Sequence, residues 1–163
     1  MTLVVPFDGS ELSRAALVRA TQFEQILDEG IVAVTVIPND HAEYAAERGW
    51  ITRGESFDPQ TIVANLEEQV ERISPRAAFE YVVVDRHAQS GRIATAIREF
   101  AKRHNAGIVF LGSENAGRYV RSVSSVGGTI AADQAYDTMI VTNTSPTPIE
   151  KLERTLPTEE VLE

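Results

Sequence analysis

Five short runs rich in β-branched and aromatic residues constrain this chain most. They are Leu3–Phe7, Ile31–Ile37, Phe79–Val84, Ile108–Leu111 and Thr138–Thr142. Apolar side chains on successive strand positions point to both faces, so such strands need cover above and below. The stretches between the runs carry helical periodicity instead. Ser10 is placed to cap a helix over 11–28, whose apolar face is Leu12, Ala15, Ala16, Phe23, Ile26 and Leu27, with Gly30 as its stop. Asp58-Pro59 opens a second helix with the stripe Ile62, Leu66, Val70 and Ile73, closed by Ser74-Pro75. Ser90 is placed to cap a third over Gly91 to His104, with Lys102, Arg103 and His104 at its negative end. Ile130-Ala131-Ala132 opens a fourth, reaching about Ala135.

Strand–helix alternation of this kind predicts an α/β fold: an open five-stranded parallel sheet with helices on both faces. The 163 residues suit one domain with a sizeable core. Residues 38–57 are the least readable part; Tyr44 to Glu47 fits a helical turn, and Trp50 and Ile51 need something to pack on, a helix or a partner subunit. Residues 144–163 change character, with Pro146, Pro148, Pro157 and several glutamates, and read as an acidic tail behind a domain spanning 1–143.

With no cysteine there is no disulfide framework, thiolate metal site or thiol nucleophile. His41, His87 and His104 fall in separate segments without metal-ligand spacing. Neither a serine–histidine–acid arrangement nor an obvious general base is visible, which argues against a dedicated hydrolase. No apolar run approaches a membrane span, and the first residues lack the basic segment of a signal peptide, so a cytoplasmic protein is expected. A formal charge of −9, from 24 acidic against 15 basic residues, disfavours nucleic acid and anionic membrane as partners.

Where chemistry is expected, a strand ends at Leu111-Gly112, a polar loop runs through Gly117, and Gly127-Gly128-Thr129 leads into the fourth helix. Glycines let a backbone approach a ligand closely, and free N–H groups at a helix start attract phosphate. Arg118 and Arg121 would assist an anion, whereas Glu114 would repel one. Ordinary turn glycines explain the same pattern.

Several segments, in order, carry a family resemblance. Val5-Pro6-Phe7-Asp8-Gly9-Ser10-Glu11, then Ser90 to Ile97 with Phe100-Ala101, then Ile108 to Ser113, then Thr138 to Val141 resemble the universal stress protein family over about residues 2 to 143. The resemblance implies a Rossmann-like sheet of the adenine nucleotide alpha hydrolase-like type, and a homodimer paired through the last strand. One branch of that family binds ATP through Gly-x2-Gly-x9-Gly-Ser/Thr, and another lacks the motif and does not. Here Gly112 matches the first glycine and Asn115 stands at the second. The nine-residue spacing survives only from Gly117 to Gly127, and a second glycine, Gly128, precedes Thr129. The resemblance also implies Asp8 in a nucleotide pocket, Pro6 and Phe7 beside the base, Val36 offering backbone groups to adenine, and Leu111 beside the cradle. Two functions follow: a stress-response sensor or regulator holding ATP or a related adenine nucleotide, with or without Mg and with weak hydrolysis at most, or a ligand-free dimeric interaction module with protein partners.

An acid-rich, lysine-poor surface, with Lys102 and Lys151 the only lysines, also fits a salt-loving source, where self-repulsion is screened. The unfolding midpoint should rise as potassium chloride is added. A chain fully stable in low salt, with no gain on adding it, contradicts that origin.

Overall fold

The structure, a computed structural model, describes residues 1–112, 126–131 and 133–146. Its elements are β1 (Thr2–Pro6), α1 (Glu11–Leu27), β2 (Gly30–Pro38), α2 (Ala42–Glu47), α3 (Pro59–Ile73), β3 (Ala78–Val84), α4 (Ser90–Arg103), β4 (Ala106–Gly112), α5 (Val126–Ala131) and β5 (Asp137–Val141). All strand pairs are parallel, in the order β3-β2-β1-β4-β5. The expected five-stranded α/β sheet is therefore present. After β1 the chain builds outward to β3 on one side, then crosses back to build β4 and β5 on the other.

Side-chain alternation explains the two layers of cover. Leu3, Val5 and Phe7 face one side with Ile31, Ala33 and Phe110; there they meet Ala16, Leu17 and Ala20 of α1 and Ile62, Leu66 and Val70 of α3. Val4, Val34, Val36, Val109 and Leu111 face the other side, against Ile93, Ile97 and Phe100 of α4 and Ile130 of α5. Val4 and Val5 are fully buried although they point in opposite directions.

Local signals set most boundaries. The Ser10 hydroxyl accepts from Ser13 N–H, and Asp58 accepts from Gln60 N–H, so both expected N-caps form. Other boundaries differ from the sequence expectation. Helix α1 ends on Asp28 in a left-handed conformation, φ 51°; aspartate tolerates that region, and Gly30 instead opens β2. Pro38 lies within β2 as its last residue, opposite Val84. Ser90 is the first residue of α4 rather than its cap, which is Gln89.

The largest correction concerns α5. It spans Val126–Ala131, so Gly127, Gly128 and Thr129 lie inside a helix rather than in a loop before one. Glycine is a poor helix former, which is why its pairing read as loop. Burying Ile130 against the sheet overrides that preference locally. The chain beyond α5 is tied back to α4: Asp133 Oδ2 lies 2.9 Å from both Arg98 Nε and Lys102 Nζ. The Tyr136 hydroxyl donates to Ile130 O at 2.9 Å, and burial beside Asp133 pushes its phenol up to about 12. The C-terminal segment 147–163 lies outside the described residues.

Hydrogen bonding from Lys102, helped by Ala135 N–H and Arg98, lowers Asp133 to about 2 despite its burial. A carboxylate depressed in the folded state stabilises above its unfolded value, here 3.8, and loses that contribution as pH falls through the folded value. Asp133→Asn should therefore cost on the order of 1–2 kcal/mol at neutral pH, discounted for the half-exposed lysine. Urea unfolding should show that difference closing between pH 4 and pH 2.

Candidate functional site

The carboxyl ends of β1, β2 and β4 open onto a cleft of about 300 Å³. It sits where the chain reverses its direction of building, between β1 and β4, the usual ligand position in open α/β sheets. Pro6, Phe7, Asp8, Val36, Leu111 and Gly112 all line it. So do Ile93 and Ile97 from α4, Ala88 and Ser90 before them, and Ile130 from α5.

Each of these residues is held by an identifiable contact. Phe7 is buried on the α1 side, and its N–H donates to Val34 O at 2.8 Å. The Phe7 carbonyl accepts from the buried Thr35 hydroxyl at 2.5 Å. Asp8 is a hub: Oδ1 accepts from Ser10 N–H at 2.9 Å, and its carbonyl accepts from Trp50 Nε1 at 2.8 Å. The first bond is the turn role expected of an aspartate there. The second pins residues 48–50 to the end of β1.

The segment 38–57, unreadable in sequence, forms one wall. His41 caps α2 by accepting from Tyr44 N–H at its Nδ1, 2.8 Å. Gly49 adopts φ +75°, a turn that glycine makes without strain, and Trp50 N–H then bonds Ala45 O at 2.9 Å. Tyr44 and Trp50 meet edge to face, with ring centroids 5.7 Å apart, and Trp50 is buried in the core shared with α1 and α3. Tyr44, Arg48 and Trp50 thus join the cleft, and sequence reasoning missed Tyr44 and Arg48 as site residues. The only signal was a tryptophan in a segment without periodicity.

The glycines divide. A Cβ on Gly112 would collide with the Leu12 carbonyl and with Ser13 N, so this glycine is required for the close approach of α1 to the end of β4. Gly127 and Gly128 belong to α5, which brings Ile130 to the cleft. Thr129, half-buried in α5, is not among the residues lining the cleft. Gly117, Asn115, Glu114, Arg118 and Arg121 lie outside the described residues. Among the described residues, no group of three or more histidine and carboxylate side chains is arranged to hold a metal ion, and no helix is long and apolar enough to cross a membrane.

A doubly wound parallel sheet with a cleft at its switch point is a ligand-binding architecture. Residues 1–143 match the universal stress protein family, and the chain belongs to it. Solved structures agree on the fold. A universal stress protein in complex with cAMP is 20% identical, with a TM-score of 0.59, covering 89% of this chain and 98% of that one. The hypothetical protein MJ0577 is 14% identical, with a TM-score of 0.58 and coverage of 89% and 97%. A universal stress family protein from Burkholderia pseudomallei is 16% identical, with a TM-score of 0.52 and coverage of 87% and 96%. No curated protein matches the chain.

Gly112→Ala should destabilise the fold by about 1–3 kcal/mol, the range for forcing a methyl into a packed site. Urea unfolding of the variant measures it. An unchanged midpoint would mean that α1 withdraws without cost.

Proposed function

We propose that this chain is a stress-response sensor or regulator that takes an adenine nucleotide into the cleft at the ends of β1, β2 and β4. The observation that carries this reading is the convergence of Pro6, Phe7, Asp8, Val36, Leu111 and Gly112 on one largely apolar cleft at the switch point. Apolar walls with a few polar groups suit a flat heteroaromatic ring. Val34, Val36, Ile93 and Ile97 supply the walls, and the backbone of Val36 and the carboxylate of Asp8 supply the polar edge. The cAMP complex formed by a protein of the same fold supports an adenine ligand. ATP, with or without Mg, is the larger candidate. Turnover is slow or absent in this reading: Asp8 is the one carboxylate lining the cleft among the described residues, and it already accepts from Ser10 N–H and faces Arg48.

A second reading, a ligand-free interaction module, draws support from the glycines. Packing explains Gly112, and Gly127 and Gly128 are helical. In either reading the protein is cytoplasmic, from a salt-loving source, and dimeric through β5. The edge position of β5 in the sheet supports that pairing.

Isothermal titration with ATP, AMP and cyclic AMP separates the two readings. At least one should bind wild type, and Ala88→Trp, which fills the cleft from its rim, should weaken that binding about tenfold or more with unchanged circular dichroism. Wild-type protein that binds none of them at millimolar concentration leaves the interaction module standing.

A further inference from the structure

At the mouth of the cleft lies a guanidinium whose hydrogen-bonding edge is unused. Arg48 and Asp8 are the only charged side chains lining the cleft among the described residues. The Arg48 guanidinium carbon lies 4.5 Å from the centroid of the Tyr44 ring, within cation–π range. Its Nη1 lies 4.0 Å from Asp8 Oδ2, close enough for attraction and too far for a hydrogen bond. Stacking occupies the face of the guanidinium, and the distant carboxylate takes none of its N–H groups. No hydrogen bond from Arg48 to a described residue competes for its five donors. The side chain is 41% exposed, so a ligand entering the cleft reaches it.

This position is built by the surrounding chain. The His41 cap, the turn at Gly49 and the Trp50 indole bond to Asp8 O hold α2 against the end of β1. Stacking on Tyr44 restrains a side chain that would otherwise lose much rotamer freedom on binding. Electrostatics sharpen the selection. The chain carries −9 overall, a charge that disfavours anions at most of its surface. Within the cleft, Arg48 offsets Asp8, and the guanidinium edge is the one strong attraction an anion meets there among the described residues.

Resting on the adenine-nucleotide reading above, we infer that Arg48 is a specificity-determining residue that selects phosphate-bearing ligands over the neutral nucleoside. Its N–H edge takes a phosphate oxygen, and Asp8 competes with that oxygen for the same cation. The shared chemistry is a phosphate anion near an adenosine moiety, carried either by a monoester or by a cyclic diester.

Titration calorimetry of the full chain with adenosine, AMP and cyclic AMP, at one fixed salt concentration, tests the selection. Wild type should prefer AMP or cyclic AMP to adenosine by about tenfold or more, the scale of one charge-assisted hydrogen bond. Whichever phosphate is preferred identifies the source. Arg48→Ala should shrink the preference to within about twofold, and Arg48→Lys should restore part of it through charge alone. Asp8→Asn should enlarge the preference, because the competing carboxylate is gone. Circular dichroism and thermal unfolding check that each variant is folded. A folded Arg48→Ala that keeps the full preference overturns the assignment, as does a preference that falls in Asp8→Asn. Adenosine binding without any phosphate preference in wild type overturns the role of Arg48 alone, whereas binding of none of the three overturns the nucleotide reading itself.

Discussion

Burial of β1 on both faces is the constraint on which the rest of the structure depends. Leu3, Val4 and Val5 have no exposed surface, and each apolar side chain removed from water contributes about 1.5–3 kcal/mol. A strand of that composition is unstable at an edge or under a single layer. It therefore occupies the centre of the sheet, flanked by β2 and β4, with α1 and α3 on one face and α4 and α5 on the other. Parallel pairing follows because each crossover returns through a helix. The cleft is a by-product of the same arrangement. The helices α1 and α5 lie on opposite faces of the sheet, and the cleft opens at the carboxyl ends of β1 and β4.

Around that cleft the backbone of β1 continues as an anchoring point. Consecutive carbonyls of Phe7 and Asp8 accept from Thr35 and Trp50, which lie far apart in sequence. Thr35 fastens the inner end of β2, and Trp50 fastens the whole segment after it. Buried polar atoms need partners, so both bonds orient their elements as well as stabilise them. One consequence is the aromatic wall formed by Tyr44 and Trp50, with Arg48 stacked on its outer side. Gly112 meets the opposite demand, because the first turn of α1 approaches the end of β4 too closely for any side chain.

The two sheet edges differ in character. Tyr81 and Val83 of β3 remain 42% and 51% exposed, while Glu80 on the same strand pairs with His104 at 2.7 Å. Charge beside exposed apolar surface is a common way to discourage unwanted pairing. At the other edge, β5 follows the cluster of Asp133, Arg98 and Lys102, which joins α4 to the residues that lead into the strand. That cluster couples the placement of α5, and so of Ile130 in the cleft, to the placement of β5.

Amino-acid order alone determined the fold class and most elements, because two-sided apolar strands, helical stripes and caps such as Ser10 and Asp58 are local patterns. It also carried the family, through motifs lying at the ends of β1 and β4. Tertiary structure decided what local pattern does not encode. Gly127 and Gly128 became helical because burying Ile130 outweighs their weak preference for helix. Gly112 gained a packing role from a helix nearly a hundred residues earlier in the chain. Arg48 reached the cleft because the Trp50 indole found the Asp8 carbonyl 42 positions away. Periodicity reports which faces are buried, whereas a contact between distant segments exists only once the core has brought them together.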